Sequence, residues 1–248
     1  MIRWWLVGLA LWLFTGTAHA AFPVVAATAN STETADVTTH TVNLPASIGA
    51  GDLLVAFACV DASPTITEPS GWSVLHSTAN GSANTGAIWY KVASGGEGAS
   101  MTFGTSSAQQ SAHITWRVTG HGHSASAPNS GTAATGTDAN PNPPSLTPAA
   151  GSQDYLWVVT ECNDNGQETV TAYPADYTSN QLNINNGNVA GAAQAVASRN
   201  LNTTTQDPGT FTITTATEQW VTQTLAIAPA PPADPATTPG QFLMGMMK

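Results

Sequence analysis

The segment Leu53-Leu54-Val55-Ala56-Phe57-Ala58-Cys59-Val60 constrains the fold more than any other part of the chain. None of its eight residues carries a charge or a strong hydrogen-bonding side chain, and Gly51-Asp52 and Asp61-Ala62-Ser63-Pro64 bound it. The run is too short for a typical helix and turn formers close it at both ends, so it reads as a strand buried on both faces. About a hundred residues later it has an echo, Ser152-Gln153-Asp154-Tyr155-Leu156-Trp157-Val158-Val159-Thr160.

The flanking sequence supplies shorter strands. Val24 to Ala29 is a β-prone lead-in, Asn30 to Asp36 reads as polar loop, and Thr38 to Leu44 alternates like a half-exposed strand until Pro45 stops it. Gly71-Trp72-Ser73-Val74-Leu75, Ala87 to Val92, Ser100 to Phe103 and Ser111 to Val118 follow as further strands. No window sustains a helical period, which predicts an all-β fold. The second half then replays the first. Leu146-Thr147-Pro148 matches Asn43-Leu44-Pro45, Asp154-Tyr155-Leu156 matches Asp52-Leu53-Leu54, and Tyr177 falls where Trp72 does. Gly209 to Ile213 matches the strand at Met101 to Phe103, and Trp220 to Ile227 matches His113 to Val118. The offset drifts from 102 to 109 residues, as loop-length changes between duplicated units would make it. The expected architecture is a jelly-roll-like β-sandwich of two pseudo-duplicated halves, 21–123 and 124–229, forming one compact unit.

Both ends carry other signals. Arg3, the apolar run Trp4 to Phe14 and Ala18-His19-Ala20 are the three regions of a secretory signal peptide, so 1–20 reads as a cleaved signal or a retained hydrophobic leader. Residues 230–248 continue a Pro-rich linker into an apolar tail containing Phe242, Leu243, Met244, Met246 and Met247, which either docks on a partner or frays. Charged residues are 8% of the chain, with five Lys and Arg against fifteen Asp and Glu. That acidic balance repels phosphate backbones and argues against nucleic acid as a partner. No apolar run beyond the leader is long enough for a membrane-spanning helix.

Candidate chemistry is thin. Cys59 and Cys162 make an even count in an exported chain, which permits a disulfide. Matching Asp52 to Asp154 puts Cys162 one residue out of phase, however, and leaves two buried free thiols as the alternative. Glu161-Cys162-Asn163-Asp164-Asn165-Gly166 imitates the start of a calcium loop, yet Ala172 stands where a bidentate Glu is needed, and a strand-end turn explains the same residues. His113, His121 and His123 lack completing ligands and read as solvated histidines. Gly122-His123-Ser124-Ala125-Ser126 lacks the final Gly of a nucleophile elbow. The acidic residues show no spacing that pairs two carboxylates across a cleft. Trp72, Trp89 and Tyr177 either stack on sugar rings or pack in the core. The reading therefore names no catalytic residue, no metal site and no cofactor.

Thr41-Val42-Asn43-Leu44-Pro45, Ala50 to Val55, Gly71-Trp72, Trp89-Tyr90-Lys91-Val92-Ala93 and Ser111-Ala112-His113 resemble a family of largely uncharacterised bacteriophage and prophage β-sandwich proteins found among virion structural components. Asn140 to Pro148 and Asp207-Pro208-Gly209-Thr210-Phe211 extend the resemblance through the second half, to nearly all of residues 24–228. It implies a non-catalytic structural or binding protein, such as a virion fibre, spike or decoration protein. The alternative is an exported cell-surface adhesin or glycan-binding module. The expected partners are other virion or cell-surface proteins and surface glycans, with self-association left open. The expected location is secreted or extracellular, or else the virion, and no membrane contact follows leader cleavage. N-terminal sequencing of the natural product should find a start at Ala21, whereas an intact Met1 would mean the leader is retained.

Overall fold

A computed structural model describes residues 20–124 and 126–232, so the leader up to residue 19 and tail residues Phe242, Leu243, Met244, Met246 and Met247 lie outside the described residues. The first half contributes β1 (Val24–Asn43), β2 (Leu53–Asp61), β3 (Ile66–Thr67), β4 (Ser73–Asn80), β5 (Asn84–Val92) and β6 (Ser100–Thr119). The second contributes β7 (Asn129–Ser130), β8 (Ala134–Thr137), β9 (Gln153–Asn163), β10 (Val170–Ala172), β11 (Ser179–Asn185), β12 (Ala193–Thr203), β13 (Thr212–Ile213) and β14 (Gln219–Ile227). One sheet runs β1-β6-β2-β5-β4 and the other β11-β12-β9-β14-β7, with β8 also on β14. Read backwards, the second order is the first with each strand replaced by its counterpart. The repeat seen in the sequence is the repeat of a whole antiparallel sheet.

The two sheets form a sandwich with β2 and β9 at its centre. Side chains alternate across a strand, so Leu53, Val55 and Phe57 meet Leu156, Val158 and Leu225 between the sheets. Leu54, Ala56 and Ala58 point the other way, into an outer core with Trp89 and Phe103. Tyr155, Trp157 and Val159 do the same in the second half, beneath Leu146, Tyr177 and Phe211. Both faces of β2 are therefore dry, and all its residues but Asp61 are buried. Burying one such side chain contributes about 1.5–3 kcal/mol, so these three layers of contact carry most of the stability.

The outer cores are closed by strands that double back. Thr115 Oγ1 donates to Asn43 O at 2.7 Å while Thr115 pairs with Ala29, so residues 41–43 lie across 29–31. The expected loop at Asn30 to Asp36 is therefore largely strand. Residues 30–33 pair with 114–111, and within this stretch the register breaks between Glu33 and Thr39 as the chain bends, in addition to a shift between Val25 and Ala27 near the start of the strand. Likewise the strands expected at 100–103 and 111–118 are one, β6. Hydrogen bonding to a neighbour that bends with them keeps β1 and β6 continuous where their polar composition looks like a loop.

Cys59 and Cys162 are joined, with Cα atoms 5.1 Å apart. The structural counterpart of Leu53 is Leu156 (156 − 53 = 103), because Leu53 pairs with Val118 and Leu156 with its counterpart Ile227. The expectation that Cys162 faces away came from matching Leu53 to Tyr155, one residue short. At offset 103 both sulfurs face the inter-sheet core, beside Ala112 and Val221. The bond links equivalent positions of the two halves at the end of the sandwich away from Leu53. Closing a loop of 103 residues contributes about 4–5 kcal/mol in the chain-entropy treatment. Reduction, or Cys59→Ser with Cys162→Ser, should lower unfolding free energy by roughly that amount in denaturant titrations. A loss below about 1 kcal/mol would mean that the sheet interface holds the halves together unaided.

Candidate functional site

A groove opens on the outer face of the first half, where the loop after β1 meets the loop between β5 and β6. Its larger basin has a volume of about 360 Å³ and is walled by Pro45, Ala46, Ile48 and Ala99. A second basin of about 180 Å³, sharing Leu44 and Glu97 with the first, adds Trp72, Lys91, Met101 and Thr102. The floor is apolar because Leu44, Trp72 and Met101 belong to the outer core beneath it. Hydroxyls and one ion pair make the rim.

Among the described residues Glu97 is the only carboxylate that lines this groove, and its own loop consumes it. Desolvation pushes its pKa up, but Ser94 N–H (2.6 Å), Ser94 hydroxyl (2.9 Å), Gly95 N–H (2.9 Å) and the Lys91 ammonium (3.4 Å) outweigh that and bring it to about 2. A carboxylate so held cannot take up a proton at neutral pH. Its role is to brace the loop Ser94 to Gly98. The sequence shows why: glycines at 95, 96 and 98 let the backbone wrap one acidic side chain.

Of the aromatic residues proposed for sugar stacking, only Trp72 reaches a groove, and 9% of it is exposed. Trp89 is wholly buried against Phe103, with ring centroids 5.0 Å apart. Tyr177 is wholly buried too, and the Arg199 guanidinium lies 5.7 Å above its ring. Neither has a face to offer a sugar, because Trp89 on β5 and Tyr177 in the turn after β10 both point into the outer cores. The stacking role assigned to Trp89 and Tyr177 is therefore withdrawn, and Trp72 alone lines a groove.

The expectation of solvated histidines is also corrected. His113 is fully buried, and burial together with nearby His40 lowers its pKa to about 3. His40, also fully buried, shares its two ring nitrogens with Ser111 Oγ (2.7 Å) and Thr105 Oγ1 (3.0 Å). His121 Nε2 lies 2.9 Å from Gly51 O, and His123 Nε2 accepts from Ala228 N–H at 2.8 Å. These side chains are latches between segments distant in sequence. Pairing a neutral imidazole with hydroxyl or backbone groups is what lets such residues be buried at all.

At the calcium-like stretch, Asn163 Oδ1 accepts from Asn165 N–H and Asn165 Oδ1 from Gln167 N–H. Both amide oxygens are spent on turns of their own backbone, and Glu161 points into the outer core. Among the described residues no group of three or more His, Cys, Asp and Glu side chains gathers in a form that could hold a metal. Glu161 is a feature that sequence reasoning missed. It is fully buried, Asn163 Nδ2 donates to its Oε1 at 2.9 Å, and its Oε2 has no protein partner. Desolvation raises its pKa to about 8, with a further push from Glu168 against the Asn163 hydrogen bond. Glu168 goes the other way: desolvation is outweighed by donors from Thr214, Thr215 and Thr169 on its Oε1. One of the two neighbouring acids thus keeps its proton at neutral pH while the other gives it up.

Comparison with known protein families, with curated proteins and with solved structures found no match. The fold and groove themselves define the class: a duplicated, disulfide-bridged β-sandwich whose buried ionisable groups serve the frame.

Glu161 sets a pH dependence. A carboxyl whose pKa rises on folding contributes no penalty below its unfolded value near 4.5 and a growing one as pH climbs toward about 8. Glu161→Gln keeps the acceptor for Asn163 and removes the proton. The variant should match the parent near pH 4 and exceed it by a few kcal/mol above pH 8 in urea unfolding. Parallel stability curves across that range would show that Glu161 is not held protonated.

Proposed function

We propose that this protein is a non-catalytic structural and binding module of phage type, a virion accessory such as a fibre, spike or decoration protein that contacts a surface. The observation that carries the reading is the placement of the ends. Ala230 N–H donates to Gly120 O at 2.8 Å and Gly122 N–H to Ala228 O at 2.9 Å, while Phe22 and Pro23 flank Gly120 on its other side. Gly122 has no alternative here, since a Cβ would lie 2.5 Å from Pro229 O. Residues 22–23 and 228–230 thus leave the sandwich side by side, and attachment through either end presents the opposite pole outward.

That far pole carries Asp61, Asp164 and Glu218 around the disulfide-bonded end of β2 and β9. The cations among the described residues lie toward the other end, each in an ion pair: Lys91 with Glu97, Arg117 with Asp52 and Arg199 with Asp176. An acidic pole disfavours phosphate-rich surfaces and suits neutral glycans or basic protein surfaces. The resemblance of residues 24–228 to phage proteins supports the virion setting. The secretory pattern of residues 1–20 favours a second reading, an exported cell-surface adhesin or glycan-binding module, for which Trp72 and the hydroxyl rim of the groove would supply contacts.

Mass spectrometry and immunogold labelling of purified particles should find the protein at a fixed copy number per particle. Its absence from particles, with labelling of the producing cell's surface instead, would replace the first reading by the second. Absence from both, together with a silent glycan array, would remove both.

A further inference from the structure

The groove beside Trp72 is an open apolar trough close to the point where the described chain ends, and the remaining chain contains an apolar segment. We propose that this groove is the intramolecular docking site of the chain's own C-terminal segment, Phe242-Leu243-Met244-Gly245-Met246-Met247. The inference is independent of the virion reading and competes with the adhesin reading, whose contacts would come from the same groove beside Trp72.

Position comes first. Pro229 bridges to His121, and His121 Nε2 lies on Gly51 O at 2.9 Å. Gly51 is three residues from Ile48 in the groove wall, and Gly95, across the groove, packs on Ala50. Three residues span at most about 11 Å, so the chain passes within roughly 10–20 Å of the groove before it continues past Pro232. Nine residues, 233–241, separate Pro232 from Phe242. A flexible chain of nine residues has an r.m.s. length of about 15–18 Å, and a fully extended one reaches about 28 Å. The linker length therefore matches the gap, the condition under which effective concentration peaks in the millimolar range. At that concentration even a weak contact is occupied, and the same segment from a second molecule competes poorly.

The chemistry agrees. The trough has an apolar floor of Leu44, Trp72 and Met101 and walls of Pro45 and Ile48, with an irregular outline of two joined basins. A segment of Phe, Leu and three Met supplies what such a shape takes: one bulky ring and unbranched thioethers that adapt to uneven gaps. The segment carries no charge before Lys248, so seating it strands no ion in the trough. Glu97 and Lys91 already satisfy each other at the rim.

The test is photo-crosslinking in the full chain. Met244→p-benzoylphenylalanine is irradiated at low micromolar concentration, and the products are mapped by mass spectrometry. Within-chain crosslinks to residues 44–48 and 95–102 are expected. Ala46→Glu and, separately, Ala99→Glu place a charge on exposed positions of the groove lining and should each cut those crosslinks about tenfold, the effect of some 1.4 kcal/mol, with the far-ultraviolet circular dichroism unchanged. Crosslinks to the groove that appear only between chains would overturn the proposal in favour of a second copy as occupant. Crosslinks that avoid the groove, or that survive both wall substitutions, would also overturn it.

Discussion

Everything in this molecule depends on two central strands, β2 and β9, that must be dry on both faces. A sheet strand with an apolar side chain at every position is stable only between two covering layers. Here one cover is the opposite sheet and the other is the half's own doubled-back ribbon. From that requirement follow the bends in β1 and β6, the outward cores under Trp72 and Tyr177, and the burial of every large ring in the central strands. The disulfide between Cys59 and Cys162 then ties the two sheets where the central strands end.

The same requirement explains how the protein lives with few charges. Strands wrapped on both sides bury polar side chains along with apolar ones, and each buried group needs a partner. His40 with Ser111 and Thr105, Gln194 with the Glu161 and Ala195 carbonyls, Thr224 with Pro144 O, and Asn186 with Gln110 meet that need with neutral hydrogen bonds. Neutral pairs cost less to desolvate than ions. Two buried acids complete the set: Glu161 accommodates burial by keeping its proton, whereas Glu168 is the charged exception, held by donors from Thr214, Thr215 and Thr169. Asn186 also shows how tight these contacts are, since a Cβ on Gly166 or Gly191 would fall inside van der Waals reach of its side chain.

Much of the frame was legible beforehand. The eight-residue apolar run announced a doubly covered strand, and the repeat of Leu44-Pro45 at Leu146 and of Trp72 at Tyr177 marked two outer cores, where all of these large residues are found. Strand β12 left a weaker trace, because its buried stretch Ala193-Gln194-Ala195-Val196-Ala197 uses small side chains that show neither alternation nor bulk. The candidate groove was less legible still. Leu44, Trp72 and Glu97 are far apart in sequence and meet only because β1 folds back over the sheet.

What the sequence determined by itself was local and periodic: an all-β chain, its duplication, and the residues that demand burial. These follow from short apolar runs, alternating stretches and turn residues read along the chain, which need no knowledge of the partner. Tertiary structure alone decided which faces met. A shift of a single residue, 103 against 102, separates bonded cysteines from cysteines on opposite faces, because a strand reverses its side chains at every step. It also decided that Trp89 and Tyr177 belong to the interior and that His121 and His123 fasten one segment to another. Those outcomes depend on which distant surface arrives to cover a residue, and covering is a property of the assembled layers.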